Sequence, residues 1–435
     1  MKKLVLSAAV AFFVTAAASA QTNVDYSSQT GSGNTGTTTQ TGSANFNELT
    51  QNGNGNGSIV SQSGEGNEAT TSQTGNGNQS EANQSGDYNF ASVMQDGTTN
   101  ESELVQDGDD NTAMVSSTGT SNTSWIDQDG DDNSATLTQW GEGNASTLAQ
   151  DGDANTASIT QSTGTRVSDF NTSTAEQDGD RNALTVLQVN TGYNSSETSQ
   201  DGDDNFIRVR QNGVSNDAEV AQVGNDNWAD TYQRGRDNEV SVSQVGNDNS
   251  AKEYTIGSDN STEITQFFGN NNSADVNRNG DDNSATITQM FGSNNMADVD
   301  QFGDENEADI MSMGSSNEAV AYQDGNMNIA GITQAGNSNW ADIMQEGDSN
   351  DAMALQTGSN NNAEFDQIGN NNEGSAMQIG NGNMVDLMQS GDGNMSSSLQ
   401  MGSAHSATIS QSGMDHFHQG TQMGSGNTLS ITQSN

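Results

Sequence analysis

Residues 283–289 read Asn283-Ser284-Ala285-Thr286-Ile287-Thr288-Gln289 and alternate without a break. Asn283, Ala285, Ile287 and Gln289 share one side; Ser284, Thr286 and Thr288 share the other. A period of two is the mark of a strand with one buried face. The buried side here is unusual, with an amide at each end and only a small residue and one aliphatic between them. The phrase recurs along the whole chain. Gln stands at 29, 40, 51, 62, 73, 84, 95 and 106, then at 128, 139, 150 and 161, with Ser117 in the one gap. The step of eleven resumes from 200 to 266, with Thr255 as a substitute, and from 301 to 433, with Ser312 as a substitute. A repeat of this kind overrides ordinary domain reasoning.

The register slips between 161 and 177, 188 and 200, 266 and 278, and 289 and 301. The Asn-to-Gln interval survives each slip: Asn171 to Gln177, Asn194 to Gln200, Asn272 to Arg278, Asn295 to Gln301. Insertions are tolerated in turns and not in strands. The strand is therefore Asn-x-Ala-x-Ile-x-Gln and the turn Gln-x-Gly-x-x-Asn. A second period lies under the first. Asp flanks Gly at 107/109, 129/131, 151/153, 178/180 and 201/203, while the turns between them lack this pair. Alternate turns thus differ in kind, which predicts coils of two arcs and about 22 residues, with odd and even turns on opposite edges. The fold class expected is all-β: a β-solenoid of stacked two-strand coils, amyloid-like and cross-β. At ~4.8 Å per coil, about 18 coils give a body roughly 90 Å long. Like residues then stack in columns, and stacked amides bond along them.

Composition supports a thin repeated interior over one large core. Hydrophobic residues are 29% of the chain, Gly numbers 49, and Pro and Cys are absent. A formal charge of −48 at such low hydrophobicity suggests disorder, but a disordered chain has no reason to keep a register. With only 10 Lys and Arg, nucleic acid is excluded as a partner class. Without Cys, no disulfide stabilises the fold. Residues 1–20 read as a secretory signal: Lys2 and Lys3, an apolar run from Leu4 to Ala17, and a small-residue cleavage site at Ala18-Ser19-Ala20. The run is short of the roughly 20 residues of a membrane span, so export and no membrane span are expected. Residues 21–28 read as a short flexible leader, and residues 29–435 as the repeat solenoid. The first two arcs are expected to fray, because Gly36 and Thr38 stand in the small and aliphatic slots and Asn47 in the next small slot.

The pattern Gln-x-Gly-x-x-Asn-x-Ala-x-x-x-Gln is carried well by Gln128-Asp129-Gly130-Asp131-Asp132-Asn133-Ser134-Ala135-Thr136-Leu137-Thr138-Gln139. It is similar to the repeat of curlin, the subunit of bacterial curli fibres, and the likeness covers about residues 29–435. The resemblance implies a secreted amyloid subunit that self-polymerises at the cell surface for adhesion and biofilm matrix. It also implies curli-type outer-membrane secretion and nucleation proteins as partners. The repeats here are many more than in familiar short curlins, and the leader is shorter. The assembly ladder expected comprises Gln128, Asn133, Ala135, Leu137 and Gln139; Asn283, Ala285, Ile287 and Gln289; and Asn427, Leu429, Ile431 and Gln433. The strand 427–433 is regular, and no Pro and no Lys after Lys252 blunts the sheet edge.

Other features are weighed against this frame. Asp107, Asp109, Asp129, Asp131, Asp151 and Asp153 form an acidic edge whose simplest reading is solvated charge. Calcium bridging along it is the alternative, although neither the calcium nonapeptide nor the EF-hand spacing is present. His405 and His416 occupy Asn slots and His418 a small slot, so ladder substitution is favoured over a metal cluster. Arg234 and Arg236 offset local acid. Phe267, Phe268, Met290 and Phe291 widen two turns and are expected to pack on each other. Trp125, Trp140, Trp228 and Trp340 are scattered, outward or in a turn, and suit adhesion. Glu253, in an aliphatic slot, marks a weak coil. Gly31–Gly36 matches a dinucleotide fingerprint by letters only, with no flanking strand and helix. No nucleophile–base pair, carboxylate dyad or zinc spacing survives the repeat, so neither an enzyme nor a resident cofactor is expected. Two rivals remain from another class: a monomeric calcium-dependent adhesin and an ice-binding solenoid.

Overall fold

A computed structural model describes residues 22–162, 170–190 and 192–435. Among these residues every regular element is a strand, from β1 (Val24–Ser32) to β37 (Thr428–Ser434). Odd-numbered strands make one parallel sheet and even-numbered strands the other. The chain therefore crosses from sheet to sheet at every turn, and each strand lies over the strand two places back. The result is the expected two-strand-per-coil solenoid, of about 18 turns.

Pairing is in register, like residue on like. Strand β11 (Ser134–Glu142) meets β13 (Thr156–Ser162) as Ala135↔Ala157, Leu137↔Ile159 and Gln139↔Gln161. The slips leave this untouched. Strand β15 (Ala183–Val189) still sets Gln188 on Gln161, although 27 residues separate them. The extra residues are held in the turns, as the constant Asn-to-Gln interval requires. Of that first insertion, residues 163–169 lie outside the described residues, as do residues 1–20 with their expected export signal.

Alternation explains the burial. In β11 the residues Ala135, Leu137 and Gln139 are buried and Ser134, Thr136 and Thr138 are not. The core is a narrow double column of Ala and aliphatic side chains, including Leu104, Ile126, Leu148, Ile264, Ile287 and Ile310. Two sheets this close leave no room for a wider interior, so the amide slots complete it. Turn glycines are demanded twice over. Gly130 has φ 112°, and a Cβ there would collide with the Gly152 carbonyl of the next coil.

The N-terminal stretch departs from expectation. Strand β1 begins at Val24, inside the predicted leader, and pairs with β3 (Phe46–Asn54) from Val24↔Phe46 to Ser32↔Asn54. Strand β2 (Thr35–Ser43) is equally regular, in place of a frayed arc. Ladder bonds between backbones do not need the consensus side chains. These two strands pair on one side only among the described residues, and their inward Asp25, Ser27, Gln29 and Gly36 remain exposed.

Candidate functional site: amide ladders and charged edges

The Gln slot ends each strand beside the turn, where its side chain reaches both neighbours. Gln128 Nε2 donates to Gln150 Oε1 at 2.8 Å and to the Thr112 carbonyl at 3.1 Å. Its own Oε1 accepts from Gln106 Nε2 at 2.9 Å. Thr112 belongs to the other sheet, so each Gln bonds along its column and stitches the two sheets together. Gln139 does the same, donating to Gln161 at 3.0 Å and Thr123 O at 2.8 Å, while its carbonyl accepts from Ser117 and Ser124. Gln289 accepts from Gln266 at 2.8 Å and donates to Ser273 O at 3.0 Å.

The Asn slot opens each strand. The Asn133 backbone N–H donates to Asn111 Oδ1 at 2.9 Å, and Asn133 Nδ2 donates to the Gly152 carbonyl at 2.7 Å. Asn283 repeats both bonds with Asn260 and Gly303. Where Asn side chains bond each other, Nδ2 points to the coil below, as from Asn350 to Asn328 at 3.1 Å. Gln donates to the coil above. The two columns of amide dipoles therefore run in opposite senses, which lowers the net dipole of a stack of like groups.

The expected ladder residues fall into these roles. Ala135, Leu137, Ala285 and Ile287 are fully buried. Leu429 and Ile431 pack against the same core but are only partly covered. Gln433 accepts from Gln411 at 2.8 Å and donates to Phe417 O at 3.0 Å; Asn427 bonds Met423 O at 2.8 Å. His405 and His416 act as Asn substitutes: each backbone N–H donates to the Asn Oδ1 below, and each Nε2 sits 3.1 Å from the carbonyl four residues back.

The acidic turns are more structured than solvated charge. Asp107, Asp129 and Asp151 form one column, in register at the ends of β8 (Glu101–Asp107), β10 (Thr123–Asp129) and β12 (Ala145–Asp151). Asp109, Asp131 and Asp153 form a second. There, each Oδ1 accepts the backbone N–H of the equivalent residue below: Asp87 to Asp109 at 2.7 Å, Asp109 to Asp131 at 2.8 Å, Asp131 to Asp153 at 2.9 Å. Asn takes the same place higher up, as Asn225 does for Asp203 at 3.0 Å. Half of each such carboxylate is thus committed to the turn stack. The six residues line up in columns and do not converge, and among the described residues no group of three or more His, Asp or Glu is placed to hold a metal ion.

Sequence reasoning missed two charged clusters. Glu253, read as the mark of a weak coil, is one half of a buried ion pair with Arg278, 3.5 Å away. Arg278 stands in the Gln slot and, like Gln, reaches the opposite sheet, bonding the carbonyls of Ser261 and Asn283 and the hydroxyls of Thr255 and Thr262. Glu253 accepts from the Thr255 hydroxyl and the Tyr232 N–H. Burial pushes the Glu253 carboxyl up and the Arg278 guanidinium down to about 10, each opposed by the other's charge. On the outer face, buried Asp230 is clamped by Arg208 and Arg210, and Arg210 lies 5.0 Å over the Tyr232 ring. The signal for the first cluster was present: an Arg in a Gln slot one coil above a Glu in an aliphatic slot.

The aromatic turns pack as expected. Phe268 stacks on Phe291 with centroids 5.8 Å apart, and Phe267 meets Phe268 edge-on at 4.9 Å. A second pair, Phe170 on Tyr193 at 5.6 Å, tips the other two widened turns. Trp140 is exposed in its turn, whereas Trp125, Trp228 and Trp340 are half-buried on outward strand positions.

The family model described as "Curlin associated repeat" matches residues 64–97, 86–119, 130–162, 202–233, 224–252, 235–267, 269–303, 303–336, 336–369 and 380–413. No curated protein matches the chain. No helix among the described residues is long and apolar enough to cross a membrane.

Proposed function

Because the chain belongs to the curlin-repeat family, we propose that it is a structural subunit that stacks coil on coil with further copies of itself into extracellular, curli-like amyloid fibres. Such fibres would serve adhesion and a biofilm matrix. Residues 1–20 would direct export, with curli-type secretion and nucleation proteins as partners.

One observation carries the reading. Apart from the substituted slots at Ser117, Thr255, Arg278, Ser312, His405 and His416, each level of the solenoid offers the level above it the same bonds with the same polarity: Gln N–H upward, Asn carbonyl upward, and an in-register parallel strand in each sheet. A coil of a second copy can satisfy these groups as well as a coil of the same chain. Unpaired strand groups of this regularity template further strands.

The test is incubation of the purified protein without residues 1–20. Thioflavin-positive fibres with a ~4.8 Å reflection along the fibre axis are expected. A chain that stays monomeric and soluble under seeding with its own sonicated material would overturn the reading in favour of a monomeric adhesin.

A further inference from the structure

The turns divide the molecule into two edges, and charge is distributed over them diagonally. Call first-edge turns those running from an odd strand to the next even strand, and second-edge turns those from even to odd. On the second edge, every turn from 63–66 to 245–248 carries at least one carboxylate. Every second-edge turn from 267–271 to 423–426 carries no charged residue at all. The first edge is the mirror case. Its described turns up to 212–215 are uncharged except for Asp96 and Glu142. From 256–259 to 412–415 every first-edge turn is acidic except 368–371. The changeover on both edges falls at the same level, beside the Arg234-Gly235-Arg236-Asp237 turn that closes β19 (Trp228–Arg236).

The turn chemistry does not require this. Asn and Asp fill the same acceptor role, since Asn337 Oδ1 takes the Ser315 N–H at 3.1 Å and Asn381 Oδ1 the Ser359 N–H at 3.1 Å, just as Asp131 takes that of Asp109. The stacking bond is the same for either, so the choice sets the charge of the turn and, with Asn, adds an amide donor.

We infer that the solenoid associates sideways with a second copy of itself, the acidic half of one edge lying against the uncharged half of the neighbour's edge. A neighbour shifted sideways and kept level meets this condition, second edge to first, at the described levels other than those of Asp96, Glu142 and the 368–371 turn. So does a neighbour turned end for end, through like edges. A shift of half the length, or a half-turn about the long axis, sets carboxylate rows face to face. Salt confines such repulsion to about 8 Å, so the turns directly opposite decide the match. The contact is made by carboxylates accepting from the Asn amides and Ser hydroxyls of the uncharged turns, bonds stronger than neutral ones. It is distinct from end-to-end stacking and does not depend on it.

The test uses isosteric changes that keep every turn bond. Asn337→Asp with Asn381→Asp places acid on the uncharged half. At low ionic strength we expect thioflavin-positive assembly at the parent rate, but bundle width by electron microscopy falling about twofold or more, toward a single filament. Adding Glu346→Gln, Asp348→Asn and Asp392→Asn restores width if neighbours lie level; adding Asp87→Asn, Asp129→Asn, Asp131→Asn and Asp132→Asn restores it if they lie end for end. Unchanged width in the double variant, or no rescue by either set, overturns the inference. If the parent forms no fibres at all, the fibre reading fails separately. The sideways contact is then read as dimer mass by sedimentation of the parent and lost in the double variant.

Discussion

A buried Gln in this fold holds three partners at once. Gln345 donates to Gln367 Oε1 and to Ile329 O, each at 2.9 Å, and accepts from Gln323 at 2.9 Å. Gln345→Leu fills similar space but takes one bond from each of the three in a dry interior, leaving Gln367 Oε1 without its donor. The expected cost is about 2–5 kcal/mol, read from urea unfolding of freshly purified chain. A loss under 1 kcal/mol would mean that the ladder adds little beyond the backbone. The Glu253–Arg278 pair is the opposite case. Removing Arg278 alone, as in Arg278→Met, strands a buried carboxylate and is expected to cost about 3–5 kcal/mol. Restoring the consensus at all three deviant slots, Glu253→Val with Thr255→Gln and Arg278→Gln, is expected to be neutral or to stabilise by about 1–4 kcal/mol. It rejoins the column from Gln233 to Gln301 and fills an aliphatic slot. Each odd letter was visible in the sequence, yet the pair was not. The period of 22 relates like slots, and this contact runs diagonally between unlike slots on neighbouring coils.

At the level of the strand, inward letters were legible and outward ones were not. Inward slots are read through the same neighbours at every level, so Ala135, Leu137 and Gln139 predict their own burial. Outward residues are decided by what stands above and below. Asp230 is buried because Arg208 and Arg210 close over it, and the second Asp of each acidic turn is engaged because an N–H sits beneath it. The outer face of the odd sheet shows the consequence. Strands β21 (Ser250–Ser258), β23 (Ser273–Asn279) and β25 (Met296–Phe302) stack Lys252, Asp275 and Asp298 in one column. Burial first, then Asp300 and Asp275, raise the Asp298 carboxyl to about 6, against a pull from Lys252. Its folded value lies above that of an unfolded carboxyl, so the folded chain binds this proton more tightly. Ionised Asp298 therefore weakens the fold at neutral pH, and stability recovers as pH falls through about 6 toward the ordinary carboxyl range. Asp298→Asn is expected to raise the melting temperature at pH 7.5 and to flatten its rise between pH 7 and 5. A parent chain whose melting temperature falls steadily over that interval would contradict this. Burial likewise raises Asp342 and Asp366 on the same face, Asp342 with help from Glu364 and Asp366 with help from Asp386.

Across the whole molecule, the eleven-residue unit and the 22-residue coil make separable predictions. From Ala297 to Ala363 the small slot is Ala in odd and even strands alike (Ala308, Ala319, Ala330, Ala341, Ala352), so the interior there is indifferent to which sheet a strand joins. The edges are not, because acid lies on one edge below the changeover and on the other above it. Deleting residues 323–344 removes one coil and returns every later strand to its own sheet. Cross-β order and bundling should both survive, with the urea m-value about 5% lower, the share of one coil in about 18. Deleting residues 323–333 removes one arc and moves every later strand to the opposite sheet. Gln334 then follows Tyr322 and the amide columns still close. The acidic turns 346–349, 390–393 and 412–415 now land on the edge that was uncharged, above uncharged turns 267–271 and 290–294. That chain should keep the fibre-axis reflection and lose sideways packing. If the shorter deletion instead abolishes the fold while the longer one is tolerated, the two sheets are not interchangeable inside. The coil, and not the eleven-residue arc, is then the unit that the sequence encodes.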